Sequence, residues 1–241
     1  MPAPSDHIVA SFDEELSGLA AKIAEMGGIS ETLIAESMQA LARRDTSLAH
    51  AVIERDKRID QLQRQIEEQA VQLIARRQPM AQDLRAVVAA IHIANDLERV
   101  GDLAKNNAKR VIALDNDFGS RRMVAGVEHI SELCLQQMKD VLDAFGQRDL
   151  KTALTVWERD EEIDSLYTSL FRELLTYMME DPRNITFCTH LLFCAKNIER
   201  IGDHATNIAE TLHYLITGEL LDDERPKKDT SSLMSVEYEE R

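Results

Sequence analysis

The sequence predicts an all-α protein built from two tandem antiparallel three-helix bundles. Three observations support this fold class. First, the motif Glu-Arg-Val-Gly-Asp at residues 98–102 returns as Glu-Arg-Ile-Gly-Asp at residues 199–203, and internal repetition of this kind marks a duplicated structural unit. Second, residues that break helices are scarce, with 9 glycines and 5 prolines among 241 residues. Third, apolar residues recur at intervals of three and four, which is the period of an amphipathic helix.

The repeat extends over most of the chain. Residues 44–62 align with residues 148–166 at an offset of 104, and the offset becomes 101 for the motifs that follow. The change in length falls at the turns that contain Pro79 and Pro182. Two units of roughly a hundred residues, a usual size for a small domain, therefore account for the length of the chain.

Helix boundaries in the first unit follow from local signals. The first helix is expected to run from near Asp6 to residues 43–44, whose two arginines suit the negative end of a helix dipole. Asp45 or Thr46 is positioned to cap the second helix. That helix should end before Pro79, because the residue before a proline is disfavoured in helical conformation.

The same signals recur in the second unit. Asp149 is expected to begin a second helix that continues until Asp181 and Pro182 stop it. The third helix of each unit follows, to about Leu114 in the first and to about residues 217–218 in the second. We expect the two bundles to be joined end to end.

The predicted domain organisation has three parts. Residues 1–116 form the first three-helix repeat and residues 117–218 form the second. The boundary is placed at residues 115–120 because this segment is rich in turn-forming residues. Residues 219–241 are charged and lack apolar periodicity, so they are expected to be a flexible tail.

Charge restricts the classes of partner. The chain has 28 basic and 43 acidic residues, for a formal net charge of −15. Such a surface repels the phosphate backbone of nucleic acids unless basic residues are clustered on one face, and the sequence has no such cluster. Nucleic acid is therefore not an expected partner, whereas cations are.

The sequence also predicts a cytoplasmic protein without direct membrane insertion. Its N-terminus lacks the basic and apolar regions of a secretory signal, and no segment approaches eighteen uncharged apolar residues.

Pairs of acidic residues, four positions apart, are the candidate functional groups. Residues at this spacing share one side of a helix, with Cβ atoms roughly 6 Å apart. If the second and third helices of a unit are adjacent, four carboxylates converge across the groove between them, and hard oxygen donors of this kind bind iron, manganese, magnesium or calcium. The predicted metal ligands are Asp56, Asp60, Glu98, Asp102, Asp160, Asp164, Glu199 and Asp203.

A second interpretation of the acidic pairs stays open. Acidic residues opposite an apolar stripe usually form the solvated face of a helix, with Arg99 and Arg200 as available ion-pair partners. The repetition of all four pairs favours metal binding, as does a glycine inside each third helix, Gly101 and Gly202, at a cost of roughly 1 kcal/mol relative to alanine. These glycines are expected to allow close approach of a neighbouring helix.

The motifs, in this order and in duplicate, resemble the PhoU family of bacterial phosphate-uptake regulators. The resemblance rests on the two Glu-Arg-x-Gly-Asp motifs, the Asp-x-x-x-Asp helix before each, the opening residues 12–16 and 26–27, and the closing residues 200–210. It covers nearly the whole chain before the acidic tail.

This resemblance implies a cytoplasmic, non-enzymatic regulator. Such a protein would be an adaptor between the nucleotide-binding subunit of a phosphate ABC importer and a sensor histidine kinase, and a negative regulator of the starvation response when phosphate is plentiful. The resemblance also implies a homodimer that binds metal ions, such as iron, manganese, magnesium or zinc, at the eight acidic positions. No organic cofactor is expected.

Two further classes of function stay open from the sequence. One is a metal-dependent hydrolase or oxidase that uses the carboxylates directly. The other is a plain helical scaffold whose acidic faces are only solvated surface. The usual phosphate-loop, nucleophile-elbow and zinc-protease motifs do not occur in the sequence, which favours a regulator over an enzyme.

Overall fold

A computed structural model of the chain describes residues 4–114 and 121–221, with side chains described from residue 12 onward. Across these ranges the chain forms seven α-helices and one short 3₁₀ helix, so the all-α prediction is confirmed. The predicted junction at residues 115–120 and most of the predicted tail lie outside the described residues. The α-helices are α1 Pro4–Arg43, α2 Thr46–Arg77, α3 Gln82–Leu114, α4 Arg121–Gln147, α5 Leu150–Glu158, α6 Asp160–Glu180 and α7 Ile185–Thr217, and the 3₁₀ helix is Pro182–Asn184.

The turn that opens the second helix of each unit is built twice in the same way. Asp45 caps α2 by accepting a hydrogen bond from the backbone N–H of Leu48 at 2.9 Å, and Asp149 caps α5 by accepting from Lys151 and Thr152. The residue before each cap, Arg44 or Arg148, has a positive φ of 59° or 53°. The predicted caps are therefore confirmed, and each satisfies backbone donors that a helix leaves unpaired at its start.

The second unit differs from the prediction of one continuous helix between residues 149 and 181. Arg159 interrupts it and separates α5 from α6. The backbone N–H of Arg159 is shared between the carbonyl oxygens of Thr155 and Val156, at 3.3 and 3.2 Å, so the hydrogen bonding tightens locally where α5 ends. The sequence carries no proline or glycine at this position, which is why local signals did not predict the break.

The two bundles lie side by side rather than end to end. Helices α1 to α3 form the first bundle and α4 to α7 form the second, and the bundles meet where α3 packs along α7 and α1 packs along α4. This arrangement buries apolar residues of both bundles in one continuous core. The end-to-end prediction was wrong. The order of the two bundles in the chain does not determine which of their faces pack against each other.

Polar side chains also cross the contact between α3 and α7. The Asn197 side-chain amide donates to Asn107 Oδ1 at 2.8 Å, and the Asn207 amide donates to Asp96 Oδ1 at 3.3 Å. His204 Nδ1 lies 2.9 Å from the same Asp96 oxygen. These contacts set the register of the two bundles along their common axis.

No helix among the described residues is long and apolar enough to cross a membrane.

Candidate functional site

Glycine inside α3 allows α2 to approach it closely. A Cβ atom placed on Gly101 would lie 2.7 Å from Asp56 Oδ1 and 2.9 Å from Ile59 Cδ1, which is closer than such contacts allow. In the second unit a Cβ atom on Gly202 would lie 3.1 Å from Ile163 Cδ1. Both glycines therefore have the packing role expected of them, and both bring the paired aspartates toward the third helix of the unit.

We call Asp56, Asp60, Glu98 and Asp102 the first acidic cluster. The exposed fraction of Asp56 is only 2%, whereas the other three are half-buried. A shallow cleft of about 300 Å³ opens over the cluster and is lined by Asp60, Glu98 and Asp102. Burial raises the pKa of Asp56 and of Glu98, and the neighbouring carboxylates of the cluster raise both further. The structure therefore brings all four predicted residues together.

The ammonium group of Lys105 is the positive charge in this cluster. Its Nζ atom lies 2.5 Å from Asp56 Oδ2 and 2.5 Å from Asp102 Oδ1, so one ammonium group joins α2 to α3. Burial lowers the pKa of Lys105, but the hydrogen bonds to Asp102 and Asp56 outweigh burial and raise it. Lys105 is therefore charged near neutral pH and offsets the cost of burying Asp56.

We call Asp160, Asp164, Glu199 and Asp203 the second acidic cluster. Three of its members are buried, with exposed fractions of 3% for Asp160, 3% for Asp164 and 5% for Glu199. Burial, together with Asp203 and Asp164, raises the pKa of Glu199 to about 7, although Lys196 opposes the shift. This cluster is more deeply buried than the first, and its carboxylates belong to α6 and α7.

The polar partners of the second cluster also differ from those of the first. Lys196 Nζ donates to Glu199 Oε1 at 2.9 Å and lies 5.0 Å from the centre of the Tyr167 ring. The Thr206 hydroxyl donates to Asp160 Oδ1 at 3.0 Å. The second oxygen of Glu199, Oε2, is buried and accepts no hydrogen bond.

The donor chemistry of both clusters suits a hard cation, but their geometry differs from a preformed metal site. Among the side chains of the described residues, no three or more of His, Cys, Asp and Glu are arranged to hold a metal ion. In the first cluster, Lys105 already stands between two of the proposed ligands. The second cluster fits a cation better, because the buried Glu199 Oε2 has no partner. Metal ligation at the eight positions stays a prediction.

Two residues that the sequence interpretation did not assign to the site are important in it. The sequence motifs indicate Arg99 as the cationic partner, and its guanidinium lies 3.5 Å from Glu98, but Lys105 is the lysine that contacts Asp56 and Asp102. The three-residue spacing of Asp102 and Lys105 was an available signal, since such pairs meet on a helix. Thr206 carried no local signal, because its contact with Asp160 depends on how α6 packs against α7.

A duplicated helical-bundle protein with one acidic cluster in each repeat is the class that this fold and these sites define. The family model described as "PhoU domain" matches residues 23–111 and 127–212, one match in each bundle, and the chain belongs to the PhoU family. The prediction from the sequence motifs is therefore confirmed.

Related proteins match over almost the full length. The chain is 59% identical over 231 residues to a protein of Rhizobium meliloti named "Phosphate-specific transport system accessory protein PhoU homolog", covering 95% of this chain and 98% of the relative. A protein of Caulobacter vibrioides with the same name is 53% identical over 228 residues, covering 95% of this chain and 99% of the relative.

Solved structures agree with the fold. The crystal structure of PhoU from Pseudomonas aeruginosa superposes with a TM-score of 0.84 at 40% identity, over 86% of this chain and 100% of the other. The phosphate transport system regulatory protein PhoU from Streptococcus pneumoniae gives a TM-score of 0.80 at 32% identity, over 88% of this chain and 99% of the other.

Proposed function

We propose that this protein is an accessory regulator of phosphate import that restrains the starvation response when phosphate is plentiful. The observation that carries the proposal is the 59% identity, over 95% of the chain, to a protein named as an accessory protein of a phosphate-specific transport system. The proposed site of action is the cytoplasm, and the proposed assembly is a homodimer. Sedimentation of the purified chain would test the dimer, and cell fractionation would test the location.

The proposed partners are the nucleotide-binding subunit of a phosphate ABC importer and the cytoplasmic part of a sensor histidine kinase. Support for an adaptor with two contact surfaces comes from exposed apolar side chains at the two repeated turns. Met80, before α3, is 80% exposed, and Met179, near the end of α6, is 72% exposed. Because Asn107 meets Asn197 and Asp96 meets Asn207, α3 and α7 run antiparallel, and the turns that precede them lie at opposite ends of the molecule. We propose that each end contacts a separate partner.

A negative charge introduced at each end tests this arrangement. We expect Met80→Glu to weaken the binding of one purified partner and Met179→Glu to weaken that of the other. Val71→Glu is the matched control, since Val71 is an exposed apolar residue on the side of α2. If both partners bound all three variants as they bind the wild type, the two-ended adaptor would be wrong.

The physiological role is tested by deleting the gene. Loss of the protein should raise the expression of phosphate-starvation genes in phosphate-rich medium and change the rate of phosphate uptake, and the wild-type gene should restore both. Expression and uptake that stay unchanged after deletion would overturn the proposal.

We further infer that the acidic clusters bind metal ions for regulation rather than for catalysis. The names of the relatives support this inference, because they describe accessory or regulatory proteins. Turnover of a phosphoester or of dioxygen, lost when Asp102 and Asp203 are both replaced by asparagine, would instead identify a metal-dependent hydrolase or oxidase. The same double variant should complement the deletion strain less well if bound metal contributes to regulation.

A further inference from the structure

A cavity at one end of the molecule brings three arginine side chains together. It has a volume of about 230 Å³ and lies between the end of α1, the start of α4 and the start of α7. We call it the arginine cavity, because Arg43, Arg44 and Arg121 line it. None of the described residues that line it is acidic. In a chain with a formal net charge of −15, this cavity is therefore a local excess of positive charge.

The other part of the lining is apolar. Leu41, Val124 and Phe187 line the same cavity and are buried, with exposed fractions of 1%, 4% and 1%. The three arginines are exposed. Beside an apolar wall the effective dielectric constant is lower than in open water, so the attraction between a guanidinium group and an anion is stronger there. The cavity therefore combines the charge and the surroundings that favour a small anion.

Helix stability explains only part of this cluster. Arg43 and Arg44 lie at the carboxyl end of α1, where the helix dipole favours a cation. Arg121 is the first residue of α4, where the dipole disfavours a cation, and the first turn of α4 contains no acidic residue. Neither Arg43 nor Arg121 forms an ion pair with a carboxylate among the described residues. The nearby Asp45 carboxylate accepts from the backbone N–H of Leu48 as the cap of α2.

The internal repeat provides a comparison, because the second unit forms the counterpart of this cavity where α4 ends. At the offset of 104, Arg44 corresponds to Arg148 and Arg121 corresponds to Ser17. Both counterparts line a cavity of about 380 Å³. The two cavities therefore occupy equivalent places in the duplicated fold.

Charge distinguishes the two cavities. Arg43 corresponds to the neutral Gln147, and the neutral Gln39 corresponds to Asp143. Among the described residues, the counterpart cavity is lined by a single arginine together with Glu31 and Asp143. The fold can thus form this cavity without a cluster of arginines, so the cluster is a property of one end of the molecule alone.

We propose that the arginine cavity binds inorganic phosphate, and that phosphate bound there signals an adequate supply. A guanidinium group suits this ligand, because its N–H groups can donate to two phosphate oxygens at once. Arg43 belongs to the first bundle and Arg121 to the second, so one bound ion contacts both. The signalling role rests on the proposed function, whereas the binding does not. A phosphate ester carries the same phosphoryl chemistry, and the experiment separates the two sources.

Equilibrium dialysis of the chelator-treated full chain against radiolabelled inorganic phosphate tests the binding. Arg43→Gln and Arg121→Gln should each weaken it by at least about tenfold, since hydrogen bonds to charged groups contribute this much. Arg76→Gln is the matched control, because Arg76 is also an exposed arginine in the last turn of a helix but lies at the far end of α2. This variant should bind phosphate as the wild type does.

Competing anions identify the ligand. Unlabelled phosphate should displace the label, whereas chloride at the same concentration should not, and glycerol 3-phosphate should displace it less well because the cavity is small. Equal displacement by chloride would show nonspecific ion binding, and tighter binding of glycerol 3-phosphate would make an ester the ligand. Either result would overturn the proposal, as would a wild type that binds no phosphate or binding that is unchanged in both variants.

The conservative variants guard against a loss of structure. Circular dichroism checks the fold of each variant. Arg43→Lys and Arg121→Lys retain the positive charge but not the planar pair of donors, so they should bind phosphate more weakly than the wild type and more tightly than the glutamine variants. Loss of binding in the lysine variants equal to that in the glutamine variants would contradict a site based on charge.

The signalling role is tested in the deletion strain. A gene that carries both Arg43→Gln and Arg121→Gln should leave the starvation genes expressed in phosphate-rich medium, whereas the gene with Arg76→Gln should repress them. Full repression by the double variant would overturn the signalling role and leave the proposed function standing. If deletion itself changed nothing, the proposed function would fail, whatever the dialysis gave.

Discussion

Asp96 on α3 and His204 on α7 join the two repeats, with 2.9 Å between Asp96 Oδ1 and His204 Nδ1. The pair lies partly buried where the two bundles pack side by side, and Asn207 donates to the same aspartate oxygen. His204 has no local sequence signal for this contact. Its partner lies 108 residues away in the chain, so only the packing of α3 against α7 brings the two together.

The Asp96–His204 contact is expected to stabilise the interface between the bundles. Asp96→Asn and His204→Ala should each lower the free energy of unfolding, and the double variant should lose less than the sum of the two. We expect a coupling energy of about 0.5–1.5 kcal/mol, the usual contribution of a hydrogen bond. Urea denaturation of the wild type and the three variants measures it.

His92 supplies the control for this cycle. It is an exposed histidine on the same helix as Asp96, so His92→Ala should leave the free energy of unfolding nearly unchanged. A coupling energy near zero between Asp96 and His204 would show that the contact does not hold the bundles together.

Alanine substitutions at Gly101 and Gly202 should show how much of their effect on the free energy of unfolding comes from helix packing and how much from helix propensity. Gly101→Ala should lower the free energy of unfolding by about 1–3 kcal/mol, because its Cβ atom would lie 2.7 Å from Asp56 Oδ1 and force the helices apart. Gly202→Ala should cost less, since its nearest contact is the end of the Ile163 side chain at 3.1 Å. Thermal and urea denaturation provide the comparison.

Gly28 is the control for these two substitutions. A Cβ atom on Gly28 meets nothing within 4 Å, so Gly28→Ala should stabilise α1 by up to about 1 kcal/mol through helix propensity alone. Equal effects of alanine at positions 101 and 28 would contradict the close approach of α2 and α3.

Glu199 is expected to make the metal-free protein less stable as pH rises. Burial raises its pKa from an ordinary value of 4.5 to about 7, so the folded protein binds the proton more tightly than the unfolded chain does. The stability that this group contributes is full below about pH 4.5 and is lost as pH rises through about 7, with a maximum slope of about 1.4 kcal/mol per pH unit.

Glu199→Gln should flatten this part of the pH profile. Denaturation curves at pH 5 and pH 8, with chelator present, should show that the substitution raises the stability at pH 8 relative to pH 5. Glu158→Gln, an exposed residue at the end of α5, should leave the profile unchanged. If the stability of the wild type did not fall between pH 5 and pH 8, Glu199 would ionise in the folded protein without an energetic penalty.

The only tryptophan of the chain is placed to report on the second cluster. Trp157 lies three residues before Asp160 and donates from its ring nitrogen to Glu210 Oε1 on α7 at 3.0 Å. Mn²⁺ binding at the second cluster should therefore change the tryptophan emission, since the ion would hold α6 and α7 together next to this contact.

Asp164→Asn removes a predicted ligand and should abolish the emission change at the Mn²⁺ concentrations that saturate the wild type. An emission change that survives Asp164→Asn would place the responding cation elsewhere in the protein.

Much of the fold is local and could be predicted from the sequence. Helix ends follow from single residues: Asp45 and Asp149 cap because their carboxylates reach backbone N–H groups two or three positions ahead. The residues of each acidic pair share a helix side because a turn has 3.6 residues. The internal repeat predicted that both features would occur twice, and membership of the PhoU family followed from the same motifs.

The tertiary structure alone decided how the carboxylates are compensated and how the bundles meet. Lys105 bridges α2 and α3, Thr206 bridges α7 and α6, and Asp96 meets His204 across the two bundles. Each contact joins residues more than forty positions apart, with a length set by the packing of whole helices rather than by local geometry. The physical reason is that helix periodicity determines the face on which a side chain lies, while the burial of apolar surface determines which face lies opposite.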